Sequence, residues 1–498
     1  MMPAISPAAD CAAKRTKIVA TLGPACDTEE VLQAMIRAGL NVVRINFSHQ
    51  KDANALQQLL ARVRAAADAV GVPVAILGDL RGPRIRVGEM TGGAITLATG
   101  AEVVVSPQAG ILGTPERIGT TFPALAGDVH PGNTLLLDDG NLRLTVREVR
   151  ADGEILCTVT RGGILSSNRG INLPGQRVSL PSLTEKDFAD IDLAIAHGFD
   201  FLALSFVQSV EDVRALNAHL RGRGAPIPVI AKIEKKGALD DIAAIAREAY
   251  GVMVARGDLA LEMSLPDVPI AQKRIIAICR RAACPVITAT QMLESMTHAP
   301  KPTRAEATDV ANAIFDGTDA VMLSGESAMG QYPVETVAVM SAIAARAEAA
   351  WLSGELPGPV PLEILHADTE TTVAYAAEQI ACEQDAHAII THTTSGSTTR
   401  RVVCHRPPMP VLALCERPET RRRLALSWGV ESELTEPIEG TAHMVEMAMR
   451  SAVRRCGARP GDSVVIVAGT PYGVSGKTNL IKVEQVPALN VTEPGPAP

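Results

Sequence analysis

Three apolar segments in the middle of the chain end in side chains that no protein core would select. VIAKIE (residues 229–234) finishes in Lys232 and Glu234, GVMVARGDL (251–259) in Arg256 and Asp258, and PVITATQM (285–292) in Thr290 and Gln291. A charge at the end of a buried strand is costly unless it is paired or used. Lys232 and Glu234 lie two residues apart, so a strand puts both on one face. Glu234 and Asp258, at the ends of neighbouring strands, could form a hard-oxygen site for Mg²⁺ or Mn²⁺. Each could equally pair with a cation such as Lys232 or Arg256. A lysine beside a metal suits charge that builds on a phosphoryl group or an enolate; the plainer reading of Lys232 is a structural ion pair. Thr290 could position a water or relay a proton, although threonine is ordinary in strands. Gly257 lets a ligand approach the backbone, and free amides there could hold a carboxylate.

Further candidates lie on either side. Arg44, Asn46 and Ser48 alternate along a second strand and so share a face. A guanidinium fits phosphate oxygens in a forked geometry, and Asn46 and Ser48 offer neutral oxygens suited to a monovalent cation. Asp79, at the end of a third strand, could join them. THTTSGSTT (391–399) surrounds Gly396 with hydroxyls and follows a strand, which fits an anion nest or a solvated loop. GTPYGVSGKT (469–478) looks like a phosphate-binding loop, but Pro471 stands where the first glycine is required.

The elements that must position these groups alternate in type. TKIVATLG, LNVVRINFSH and PVAILGDLRG read as three strands separated by helical stretches. From residue 88 to 176 the pattern turns to period two with turn signals at Asp138–Gly140 and Ala151–Gly153, as in an inserted all-β domain. The strand–helix rhythm resumes at LPSLTEKDF, where Thr184 and Asp187 form a capping-box start and Gly198 a stop. FLALSFV is strand four, the three opening segments are five to seven, and DAVMLSG is eight. We therefore expect a (β/α)₈ TIM barrel over residues 14–87 and 177–353, with a small β-barrel domain inserted at 88–176. An open doubly wound sheet is the alternative, because strand counting slips easily. In the barrel, all eight strand ends converge on one face. After a proline-rich joint, LPGPVPLE, residues 364–487 read as a C-terminal α/β domain, with tails at 1–13 and 488–498.

Bulk properties agree. The chain has 498 residues, of which 47% are hydrophobic and only 3% aromatic, so aliphatic packing dominates a large core. A net charge of −8 disfavours nucleic acid as a bulk electrostatic partner. The nine cysteines include no CxxC pair; Cys279 and Cys284 read as core residues, and a reducing cytoplasm is expected. No apolar signal core opens the chain and no run is long enough for a membrane span, so no membrane partner is expected.

The motifs resemble the pyruvate kinase family. The matching stretches include TKIVATLGPA, NVVRINFSH, GDLRGPRIRVG, LPSLTEKD, AKIE, VMVARGDL, TATQMLESM and PTRAEATDVANAIFDGTDAVMLSGESAMGQYPVET, in family order over residues 14–486. The resemblance implies transfer of a phosphoryl group from phosphoenolpyruvate to ADP, giving pyruvate and ATP. It implies a divalent metal on Glu234 and Asp258, with Lys232 stabilising the migrating phosphoryl and the enolate. Arg44 and Arg86 would contact phosphates, the Gly257 and Asp258 amides the substrate carboxylate, and Asn46, His49 and Arg169 the nucleotide. Thr290, with Ser324 and Glu326 behind it, would lie on the proton route. Thr394, Ser395, Gly396, Ser397 and Thr398 match a pocket that binds phosphorylated effectors, a sugar phosphate or AMP, in an allosterically activated homotetramer.

Departures from the family pattern are informative. Where K⁺-dependent members have threonine and glutamate, this chain has Leu80 and Arg84. Asn46, Ser48, Asp79 and Leu80 match the monovalent-cation site, and Arg84 would replace the ion, so K⁺ is not expected to be required. Ala260 stands where glycine is usual, and Lys235 and Lys236 replace a Glu-Asn-rich turn and are expected to face solvent. A metal-dependent carbon–carbon lyase or mutase on the same barrel would need neither the inserted domain nor Arg86 and Arg169. A non-catalytic sensor would be expected to lack Lys232, Glu234 or Asp258, all of which are present.

Overall fold

The protein is described from a computed structural model covering residues 14–48, 52–108, 110–362, 367–474 and 476–487. Its centre is a closed barrel of eight parallel strands: β1 (Lys17–Thr21), β2 (Val42–Asn46), β3 (Ala75–Asp79), β4 (Phe201–Leu204), β5 (Val229–Ile233), β6 (Gly251–Ala255), β7 (Val286–Ala289) and β8 (Ala320–Leu323). Each pairs with its sequence neighbour, and β8 closes on β1. Strands buried on both faces must be apolar throughout, which is why these segments do not alternate with polar residues. Val19, Leu77, Phe201, Met253 and Met322 fill the interior, while Ile18, Ile76, Leu202 and Val252 pack outward against the helices. Gly78 in β3 is required by that packing, because a Cβ there would stand 2.6 Å from the Phe47 ring and 3.0 Å from Phe199.

Local signals in the sequence set the helix boundaries. Thr184 and Asp187 form the expected capping box at the start of helix Glu185–Ala196, and Gly198 follows the helix with φ +64°. Thr303 and Glu306 cap helix Arg304–Asp316 in the same way.

Between β3 and β4 the chain forms a six-stranded mixed sheet and a separate two-stranded antiparallel ribbon, Ala94–Leu97 with Gly163–Ser166. The expected small β-barrel is thus not a sheet closed on itself. Its first and third strands are drawn into different sheets, and Arg117–Gly119 adds in parallel to Glu102–Ser106 at an edge. The turn signals lie where expected, between Thr134–Leu137 and Leu142–Val149 and between Leu142–Val149 and Ile155–Arg161. Beyond the barrel, strands Ala388–His392, Val411–Cys415, Val430–Leu434 and Ser463–Gly469 pair in parallel, and Thr478–Gln485 adds antiparallel at one edge.

This second α/β layer docks on the end of the barrel where the strands begin, through buried carboxylates whose oxygens are engaged. Asp200, just before β4, accepts from Arg64 at 2.9 Å, Arg422 at 2.8 Å and the Ile76 amide at 2.9 Å. Glu348 accepts from the Arg15 and Thr16 amides at 2.6 and 2.7 Å and from Trp428 Nε1 at 2.9 Å. Such groups are tolerated in a core only when their lone pairs are satisfied. No helix among the described residues is long and apolar enough to cross a membrane.

Lys17 is a buried cation of this junction. Its Nζ donates to the Val430 carbonyl at 2.8 Å. Burial lowers its pKa from 10.5 to about 8, with Glu431 and Glu348 opposing the shift. Because the folded value lies below the unfolded one, the unfolded chain holds the extra proton between pH 8 and 10.5, and stability rises with pH across that window. Lys17→Met should lack this rise. Thermal melts at pH 7.5 and 10 are expected to show the wild type gaining about 2–3 kcal/mol on the variant; a difference that does not change with pH would show an ordinary lysine.

Candidate active site

The functional candidates gather where the barrel strands end. Lys232 is the hub. Its ammonium lies 2.8 Å from Glu234 Oε1 and 3.2 Å from Asp79 Oδ1, and donates to Ser205 Oγ at 2.7 Å. Both carboxylates are only 2% exposed. Asp79 is gripped on its other oxygen by Arg44, with Nε at 2.7 Å and Nη2 at 2.6 Å. Arg44 Nη1 donates in turn to Thr21 Oγ1 at 2.8 Å. Strands β1 to β5 thus each contribute to, or end beside, one cluster of charges, as the closed parallel topology requires.

The electrostatics follow from burial and pairing. Burial opposes the charged form of Lys232, but Asp79 and Glu234 outweigh it and raise its pKa above the usual lysine value. Burial alone would raise Asp79; Lys232 and Arg44 hold it below the ordinary carboxylate range. Glu234 goes the other way. Burial raises it, Lys232 and the Phe206 amide oppose the rise, and nearby Asp258 adds to it. Two acidic groups that disfavour each other's charge are the environment a cation relieves.

Asp258 lies in the first turn of helix Arg256–Glu262, directly after β6. It faces a cleft between the barrel and the inserted sheet, lined by Arg84, Arg86, Asp138, Asp139, Arg169 and Lys235 among others. Arg86 Nη1 donates to the Asn168 carbonyl at 2.6 Å, and Arg169 pairs with Asp138 at 3.2 Å. Burial, followed by Arg84 and Arg81, lowers the Arg86 pKa, so this wall of the cleft is electropositive.

Thr290 stands opposite the start of that helix. Its backbone is left-handed, φ +69°, and its hydroxyl oxygen accepts from the Gly257 amide at 2.9 Å. That amide, expected to be free, is therefore engaged. Arg256 holds the turn in place. Its Nε and Nη2 donate to the Ala289 and Thr290 carbonyls at 3.1 and 2.6 Å, while Nη1 is anchored on Asp309 at 2.7 Å. Arg256 thus pairs with Asp309 and not with Asp258. Glu326 is fully buried and accepts from the Ser324 amide at 2.6 Å.

Among the remaining candidates two expectations are corrected, at Ser48 and Lys235. Arg44 and Asn46 lie on β2, but the strand ends at Asn46 and Ser48 is in the following turn, its amide donating to Asn46 Oδ1 at 3.0 Å. The alternation therefore does not extend to Ser48. Leu80 is buried, and its carbonyl accepts from Ser205 Oγ at 2.8 Å. Lys235 does not face solvent; it pairs with buried Glu262 at 2.6 Å, whereas Lys236 is exposed. Arg84 is exposed along the cleft. His49 lies outside the described residues. Sequence reasoning missed Ser205, although a hydroxyl just past an apolar strand is the signal that marked Thr290.

In the C-terminal layer, Thr394, Ser395, Ser397 and Thr398 line a separate cavity with Lys477, Gly473 and His392. The glycine-rich segment rejected as a P-loop forms its opposite wall. Gly396 has φ +85° and precedes helix Ser397–Val403. The Thr398 hydroxyl is already paired with Thr478 at 2.6 Å.

Comparison with known proteins agrees with this architecture. The family model described as "Pyruvate kinase, barrel domain" matches residues 13–337, and "Pyruvate kinase, alpha/beta domain" matches 371–484. This chain belongs to the pyruvate kinase family. It is 45% identical over 482 residues to a pyruvate kinase from Geobacillus stearothermophilus, covering 96% of this chain and 81% of that one. A Mycobacterium tuberculosis pyruvate kinase (strain CDC 1551 / Oshkosh) is 43% identical over 473 residues, covering 95% and 98%. The crystal structure of a pyruvate kinase from Cryptosporidium parvum matches with a TM-score of 0.87 at 35% identity, covering 96% of this chain and 97% of that one. As a pyruvate kinase family member the chain is a phosphotransferase.

The Arg256 fork makes a separable claim about positioning. Arg256→Lys keeps the charge but cannot hold two carbonyls and Asp309 at once. Turnover should fall roughly 10- to 100-fold, with KM changed less and Mn²⁺ binding unchanged. Wild-type kcat would show that the Thr290 turn holds itself.

Proposed function

We propose that this enzyme transfers the phosphoryl group of phosphoenolpyruvate to ADP, giving pyruvate and ATP. The observation that carries the reading is the Lys232 ammonium, held between Glu234 and Asp79 at the barrel rim beside Asp258. Phosphoryl transfer asks chiefly for positioning and charge neutralisation. Lys232 meets the migrating phosphoryl and the enolate oxygen, and Arg44 and Arg86 take phosphate oxygens.

Glu234 and Asp258 supply hard oxygen donors, and their mutual repulsion fits them for Mg²⁺ or Mn²⁺. A divalent ion there would neutralise phosphate charge. The substrate carboxylate takes the amides of Gly257 and Asp258. Since the Gly257 amide now donates to Thr290, carboxylate binding exchanges that bond and frees a lone pair of the hydroxyl, whose own proton goes to the Ala289 carbonyl at 2.7 Å. Thr290, backed by Ser324 and Glu326, then serves the proton route to the enolate carbon. Asn46, His49 and Arg169 serve the nucleotide, with the inserted sheet, residues 88–176, as a lid.

K⁺ is not required in this reading. Asp79, which with Asn46, Ser48 and Leu80 would make the monovalent site, already has one oxygen on Lys232 and the other on Arg44. A further cation has little charge left to neutralise. The C-terminal domain, residues 364–487, binds a sugar phosphate or AMP through the loop Thr394–Ser395–Gly396–Ser397–Thr398, supported by its hydroxyl-lined cavity beside Lys477. The active form is a homotetramer in the cytoplasm.

A coupled assay of pyruvate formation, with and without ADP, tests the reaction. Pyruvate should form only with ADP and a divalent metal, and Lys232→Met should lose at least about 10³-fold in kcat while still binding Mn²⁺; near-normal turnover would refute the role of the lysine. Replacing tetramethylammonium chloride by KCl should leave the rate within about twofold, and a large gain would restore a K⁺ requirement. Ser395→Asp with Ser397→Asp should remove activation by added sugar phosphate or AMP and leave basal rate intact; activation that survives would place the effector elsewhere.

A further inference from the structure

The seam between the barrel and the C-terminal layer contains an unbalanced group of arginines far from the catalytic rim. Arg280, at the end of helix Val268–Arg281, is 3% exposed. Its two terminal nitrogens donate to the Val360 and Cys404 carbonyls at 2.9 and 3.3 Å, and its Nε has no partner. Arg406 is 5% exposed and holds Asp319 at 3.1 Å, the Val403 carbonyl at 2.9 Å and the Gly317 carbonyl at 2.6 Å; its Nε is also without a partner. Arg400 stacks 4.1 Å over the Tyr250 ring, with Nε and Nη1 both buried and unpartnered. The fully buried Ser427 hydroxyl has no partner either. All four residues line one small cavity.

We propose that this cavity is a binding site for a single halide-sized anion, chloride under ordinary conditions, coordinated by Arg280, Arg400, Arg406 and Ser427. Unsatisfied buried donors on charged groups are among the costliest features a fold can keep. Here several converge. Asp319 is the only carboxylate among the residues lining the cavity, against three guanidiniums, and it is already engaged by Arg406 and by the Val286 and Trp428 amides. A water would accept a hydrogen bond but would leave the excess positive charge untouched. A monatomic anion accepts from several N–H groups at once and offsets the charge. Size decides the class. The space among these side chains is small, about 210 Å³ including its open mouth, so a phosphate ester does not fit.

The positive field is felt by a neighbour. His405 is held neutral, its pKa lowered to about 4 by burial and then by Arg280 and Arg406. The site also joins separate parts of the chain: Arg280 precedes β7, Asp319 precedes β8, and Arg400 belongs to helix Ser397–Val403. Occupancy would therefore strengthen docking of the C-terminal layer on the barrel.

Two measurements test the assignment. Crystals of the full chain grown in bromide, with data collected at the bromine edge, should show an anomalous peak within hydrogen-bond distance of Arg280 Nε and Arg406 Nε. Replacing gluconate by chloride at matched ionic strength should raise Tm by roughly 1–3 °C in a saturable manner, and Arg280→Met should abolish that rise. A water-only cavity in bromide, or equal wild-type melting in chloride and gluconate, would overturn the proposal. Should Arg280→Met fail to fold, the bromide experiment on the wild type decides the matter alone.

Discussion

Everything at the catalytic rim depends on a balance of buried charge. Two cations, Lys232 and Arg44, stand against two nearly inaccessible carboxylates, Asp79 and Glu234, with Asp258 close by as a third. Burying ions without partners is prohibitive, and burying pairs is at best neutral for stability relative to apolar packing. The arrangement is therefore poor value as a structural device. It makes sense under the proposed function, in which the residual negative charge takes a divalent cation and the ammonium and guanidinium take phosphate. Asp79 is central because it serves both cations at once: one oxygen fixes Lys232 and the other fixes Arg44. The orientation of both then follows from one residue on β3.

The barrel makes this balance possible by separating its two ends. Parallel strands place every strand end at one rim, which stays open to the cleft. At the opposite rim, residues just before the strands carry the charges that hold the C-terminal layer. Asp200 and Asp319 each accept from the amide of an adjoining barrel strand, Ile76 and Val286, and from an arginine of the other layer, Arg422 and Arg406. Similar chemistry thus works for ligands at one end and for domain docking at the other. The difference is that the docking carboxylates are fully engaged, whereas Glu234 and Asp258 still repel.

Much of this was legible in the sequence because it is local. The strand–helix rhythm, the Thr184–Asp187 cap and the charged strand ends are all short-range patterns, and they led to the barrel and to Lys232, Glu234 and Asp258. What was not legible depends on contacts between distant residues. Lys235 looks like a surface lysine until Glu262, on another element, comes to meet it at 2.6 Å. Ser205 becomes important only when β5 brings Lys232 beside it. The inserted region has period-two strands, but alternation says which residues face inward and not which strand pairs with which, so its sheet order could not be read. Ser48 lies beyond the strand, which stops at Asn46; Phe47 in the following turn packs against Phe199.

Backbone strain completes the account of why the open rim is so firmly held. Phe206, Thr290 and Gln291 all have positive φ, at +55°, +69° and +55°, and all follow barrel strands at this end. For residues with bulky or branched side chains this costs of order 1–3 kcal/mol each. Each strained turn is held by a charged group of the site. The Phe206 amide is turned onto Glu234 at 2.7 Å, and the Thr290 carbonyl is held by Arg256, itself anchored on Asp309. Relaxing Phe206 would take a hydrogen bond from Glu234, and relaxing Thr290 would release the Gly257 amide. The strain is thus tied to the buried charges of the candidate site through the hydrogen bonds that hold them.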